Sequence, residues 1–70
     1  MKLTQEIKED YATHAAGIIR YYQDDEEWIQ FDISIHTFIP WNVDNADFDA
    51  SDYEDELGEI FDECALYFSR

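Results

Sequence analysis

The chemistry open to this chain is carried almost entirely by carboxylates. Eighteen of its seventy residues are Asp or Glu and four are Lys or Arg, for a formal charge of −14. The acids fall in runs. Asp24, Asp25, Glu26 and Glu27 form one; Asp44, Asp47 and Asp49 form a looser second. Asp52, Asp55, Glu56, Glu59, Asp62 and Glu63 form the third. At 100° per residue this third set lies opposite an apolar stripe of Tyr53, Leu57, Ile60, Phe61, Cys64, Tyr67 and Phe68. Neighbours such as Asp52/Glu56, Glu59/Glu63 and Asp55/Glu59/Asp62 then have Cβ atoms about 5–6 Å apart. Like charges at that spacing destabilise a helix, and no lysine lies between them. A face built this way reads as a row of negative charge on a rigid rod. Duplex DNA presents about one charge per strand every 3.4 Å of axis, and the row is of similar density.

Other chemistries fit less well. With Asn45 as the first position of a calcium loop, Asp47, Asp49, Ser51 and Glu56 fall at positions three, five, seven and twelve. Ala50 stands where the sharp turn requires glycine, and Asp52 stands where an apolar residue is usual, so no specific metal site is expected. His14, His36 and Cys64 are too scattered for zinc. Cys64 falls on the apolar stripe and reads as a structural thiol. No nucleophile–base–orienter set and no phosphate-binding glycine loop is legible. The expectation is a protein that is not an enzyme and uses no cofactor.

The whole-chain balance narrows the class further. A charge of −14 argues against direct binding of nucleic acid or of an anionic membrane surface. Acidic chains poor in aromatics read as solvated tails, but twelve residues here are Phe, Tyr or Trp. The chain therefore reads as one folded acidic domain over residues 1–70. Residues Met1–Glu6 carry no apolar leader, and the lone cysteine excludes an internal disulfide. A cytoplasmic location is expected.

The elements that position the acids follow from periodicity. Leu3, Ile7, Tyr11 and Ala15 recur every fourth residue, which predicts a first helix capped by Thr4 and stopped at Gly17. Ile18, Ile19, Tyr21 and Tyr22 suit a strand, although Ile18 and Tyr22 also extend the helical spacing to Tyr22. Ile29, Phe31, Ile33, Ile35, Thr37 and Ile39 alternate with Gln30, Asp32, Ser34 and His36, which predicts a long strand. A hairpin tipped by Asp24-Asp25-Glu26 would pair it with residues 18–23; with a first helix reaching Tyr22, its partner would be residues 41–49. Ser51 and Glu54 read as a capping box opening a last helix. The expected fold class is α+β: two helices packed on a small antiparallel sheet, in α-β-β-α order.

In size and charge the chain resembles the small acidic phage-encoded inhibitors that mimic DNA, the anti-CRISPR and anti-restriction proteins. The likeness is nearest to those acting on type I surveillance complexes and rests on no motif. It implies a DNA mimic that occupies a basic, PAM-recognition-type surface of a bacterial defence complex and blocks target DNA. The expected partner is a basic DNA-binding protein, such as a CRISPR effector subunit, met by the chain as a monomer or homodimer. The partner-binding residues would be the acids named above. The alternative is an acidic interaction module, antitoxin-like or regulatory, that binds a basic enzyme without mimicry.

Overall fold

The computed structural model describes residues 3–39 and 49–68. Among them are three α-helices and one 3₁₀ turn, and no strand. The expected α+β architecture is therefore corrected: the described residues form a helical fold, without the hairpin of residues 18–23 and 27–39, while residues 41–48 of the alternative partner strand lie outside the described residues.

Helix α1 (Gln5–Tyr21) begins as expected. The Thr4 hydroxyl accepts from the Ile7 amide at 3.2 Å, satisfying one of the donors a helix start leaves open. Glu6 lies in the first turn and Arg20 in the last, each with the sign the helix dipole favours. Ile7, Tyr11, Ala15 and Ile19 are buried at every fourth position. Gly17 does not stop the helix. Its φ is negative, and the stripe continues through Ile19, so burial there outweighs the weak helix propensity of glycine. Tyr22 closes the helix with its amide on the Ile18 carbonyl at 2.9 Å. Of residues 18–23, read as a strand, 18–21 are its last turn and Tyr22 its cap, which agrees with the alternative of a first helix reaching Tyr22.

Helix α2 (Glu27–Thr37) replaces the predicted long strand. Its inward face is Gln30, Phe31, Ser34 and Ile35, continued by Phe38 just beyond the helix. Two of these are polar, Gln30 and Ser34, which the strand alternation sets on the face opposite the isoleucines. Here both are satisfied inside. Gln30 Nε2 donates to the Tyr22 carbonyl at 2.8 Å and to the Asp25 carbonyl at 2.7 Å. It thereby ties α2 to the turn after α1. The Ser34 hydroxyl donates to the Phe31 carbonyl at 2.6 Å. Having one proton, it must accept from the Tyr11 hydroxyl, 2.7 Å away. Ile29 and Ile33 are left half-buried, and Ile39 is exposed. The Asp24-Asp25-Glu26 hairpin tip is instead the connection between two helices, tightened by the Asp25 amide on the Tyr22 carbonyl at 2.8 Å.

The 3₁₀ turn (Ala50–Tyr53) runs directly into α3 (Glu54–Phe68). Asp49, not Ser51, provides the cap. Its carboxylate accepts from the Ser51 amide at 3.0 Å and the Ser51 hydroxyl at 2.5 Å. Those bonds hold the Asp49 carboxyl below its usual range. The capping box expected of Ser51 and Glu54 therefore does not form. Leu57 and Phe61 are fully buried, with Tyr53, Ile60 and Cys64 packed beside them. The predicted stripe ends there: Tyr67 is exposed and Phe68 partly so.

Tyr11 lies at the centre. Its ring meets Phe38 edge-on at 5.2 Å, and burial pushes its phenol up to about 12. A raised phenol favours the protonated folded state. Its contribution is complete below the ordinary value near 10 and is lost as pH rises from there through about 12. Tyr11→Phe should therefore flatten the alkaline loss of stability, measured by urea unfolding from pH 9 to 12. Ser34→Ala strands the buried phenol and should cost about 1–3 kcal/mol at neutral pH.

Candidate functional site

α2 and α3 do not close against each other along their whole length. Between them lies an open groove of about 640 Å³. Its floor is Trp28, Phe31, Gly58 and Phe61; its rim is Glu27, Glu54, Asp55, Glu59 and Asp62. Phe31 and Phe61 meet at 5.4 Å with their planes at 66°, so the aromatic floor is continuous across the two helices. Trp28 is 69% exposed. Its indole N–H donates to the Glu26 carboxylate, which holds the ring by its edge.

Gly58 is the unusual member. It sits mid-helix with a negative φ, so the backbone does not need glycine there. Nor does crowding. An added Cβ would make ordinary contact with Phe31, 3.7 Å from Cζ and 3.9 Å from Cε1. Glycine costs a helix interior about 1 kcal/mol relative to alanine. At this position it lines the groove without a side chain of its own.

Of the acids expected to bind a partner, the fold brings Glu27, Asp55, Glu59 and Asp62 around this groove. Asp25 instead lines a smaller cleft, shared with Glu27, Gln23, Gln30 and Phe68. Asp24 and Glu26 are exposed in the same connection. Asp49 caps the 3₁₀ turn and Asp52 lies within it. Glu56 and Glu63 are exposed on α3 away from either depression. Asp44 and Asp47 lie outside the described residues. Sequence reasoning took Glu54 for a cap and weighed Trp28, with Trp41, Tyr21 and Tyr22, as packing or as an interface anchor; it passed over Phe31 and Phe61 as groove residues. The available signal was Gly58, a glycine within an otherwise strong helical pattern.

Among the described residues none of these carboxylates lies within 4 Å of a lysine or arginine. Within α2, His36 Nδ1 lies 3.3 Å from the Asp32 carboxylate. Six acids stand on α3 from Glu54 to Glu63. At 1.5 Å rise per residue that is one charge per ~2.5 Å. Duplex DNA carries one per about 3.4 Å for a single strand and 1.7 Å for both.

The remaining reactive side chains are occupied structurally. Cys64 directs its thiol at the Ala12 carbonyl, 3.7 Å away, and burial pushes it up, away from thiolate. The Thr37 hydroxyl donates to the Ile33 carbonyl at 2.7 Å, so His14 Nε2, at 2.9 Å, is the donor to Thr37. Burial holds His14 below its ordinary value. Among the described residues no group of three or more His, Cys, Asp or Glu could hold a metal ion. None of the described helices is long and apolar enough to cross a membrane.

No protein-family model, curated protein or solved structure matches this chain.

Gly58→Ala should raise stability by about 0.5–1 kcal/mol, read as a shift in the urea midpoint. Gly17→Ala is the reference, because nothing lies within 4 Å of an added Cβ there. A loss of stability in Gly58→Ala alone would mean that the floor is tighter than these distances allow.

Proposed function

We propose that this chain is a DNA-mimicking inhibitor. It occupies the basic, PAM-recognition-type surface of a bacterial defence complex such as a type I CRISPR effector, in the host cytoplasm, and excludes target DNA. One observation carries this reading: the run of carboxylates from Glu54 to Glu63, with no base among them, on one rigid helix. Its linear charge density falls between that of one DNA strand and that of the duplex.

The energetics support a selected surface. Glu54, Asp55 and Glu56 are compatible with the positive end of the α3 dipole. Glu59, Asp62 and Glu63 lie further along, where that help has faded, and they repel one another. A helix shaped for stability would place lysines here. Basic side chains that ordinarily contact phosphates would meet these carboxylates, with charge complementarity speeding the encounter. The bond would weaken as salt rises.

A second reading has its own support. Duplex DNA has no counterpart to the aromatic floor between α2 and α3, which favours an acidic module that seats part of a basic enzyme, without mimicry. The two differ in what the bound partner loses, its DNA binding or its catalysis.

A tagged pull-down from bacterial lysates, washed at low salt and eluted with a salt step, should recover one DNA-binding complex. A gel shift should show that complex losing its DNA. Recovery of assorted basic proteins, with DNA binding intact, would refute mimicry in the systems tested. Reversing Glu59 and Glu63 to lysine should weaken inhibition about tenfold or more. It should also raise the melting temperature by several degrees, since repulsion is relieved, at about 4–8 °C per kcal/mol. The same reversal at Glu6 and Glu9, exposed on α1, should leave inhibition nearly unchanged. Equal losses from both pairs would rule out α3 as the contact face.

A further inference from the structure

We propose that the groove between α2 and α3 is a seat for an arginine side chain of the partner, its guanidinium stacked on the Trp28 indole between the rim carboxylates. The inference rests on the reading that the acidic face meets a basic protein, and it names which basic group is held and where.

Four features point to arginine. First, the floor is aromatic and open. Trp28 is 69% exposed, an unusual position for the residue with the largest apolar surface. Second, the indole is held by its N–H on Glu26. That bond lies in the ring plane and leaves the π face free. Third, the rim carries Glu27 on one helix and Asp55, Glu59 and Asp62 on the other, none with a cationic partner among the described residues. Fourth, the position that would narrow the groove is Gly58, where neither backbone geometry nor crowding requires glycine.

These features favour arginine over lysine and over an apolar segment. A guanidinium is planar, stacks on an aromatic face and offers its donors edge-on to carboxylates on either side. An ammonium is a compact, strongly hydrated charge that makes poorer use of an aromatic floor. A purely apolar occupant would bury the rim carboxylates without partners, which is costly.

The test is a nuclear magnetic resonance titration of the full chain with acetyl-hexa-arginine-amide and acetyl-hexa-lysine-amide, which have equal charge. The reporters are the Trp28 indole N–H, assigned in a Trp41→Phe variant, and the Gly58 amide. The arginine peptide should bind about two- to five-fold tighter, the range a partly exposed cation–π contact gives, and should shift both reporters. Trp28→Ala removes an exposed side chain and should abolish that advantage while leaving lysine-peptide affinity unchanged. Gly58→Leu, checked for helicity by circular dichroism, should do the same by filling the floor. Equal affinities in the wild-type chain would overturn the seat. So would an arginine preference that survives Trp28→Ala, or shifts confined to Glu56 and Glu63 with Trp28 unmoved. Failure of the gel-shift competition would overturn mimicry and leave this titration untouched. Failure here would leave the gel shift untouched.

Discussion

The rotation of α2 about its own axis is set by two buried polar side chains, and most of what the surface offers follows from it. Gln30 spans the Tyr22 and Asp25 carbonyls, and Ser34 links Tyr11 to the Phe31 carbonyl. These bonds can be made only if positions 30 and 34 face inward. Phe31 and Ile35, on the same side, then reach Phe61 and the core. Trp28 is carried toward α3 with its face open, and the groove results. Breaking such bonds leaves buried polar groups unpaired, which costs more than the bonds contribute when made. Unlike interchangeable apolar contacts, they define one orientation of the helix.

That arrangement must hold against the charge. The core is small, built around Tyr11, Leu57 and Phe61, and it supports a net charge of −14. Electrostatic self-repulsion works against compactness. The fold accommodates it by placement. Every acid of α3 is exposed, and those of the α1–α2 connection point to water. The carboxylates therefore keep their hydration, and the residual cost is the modest repulsion of exposed neighbours. The same placement gathers acids from two helices around one aromatic floor, so solvation and concentration of charge have one structural cause.

The first and last helices were legible because their apolar residues recur at helical spacing and their polar residues face water. Thr4, Ile7, Tyr11 and Ala15 sit as the pattern requires, as do Leu57 and Phe61. The middle segment was not legible. Ile29, Phe31, Ile33 and Ile35 alternate as in a strand, but alternation implies a strand only if the intervening polar residues are solvated. Gln30 and Ser34 are not solvated, because Tyr22, Asp25 and Tyr11 supply partners from elsewhere in the chain. The cap of the last helix failed for a similar reason: Asp49 competes with Ser51, and a 3₁₀ turn precedes the α-helix.

By itself, then, the sequence determined the sign and density of the charge, the acidic face of the last helix and the set of aromatic residues from which a core is drawn. These depend on composition and on spacing within single elements. Only the tertiary structure decided that α2 is a helix and which of the acids meet across a groove. It also decided that Trp28 is presented to solvent while Tyr11 is enclosed. Those outcomes turn on hydrogen bonds and ring contacts between residues far apart in the chain, Tyr11 with Ser34 and Phe31 with Phe61. No local pattern encodes such partners, because each exists only once the helices have packed.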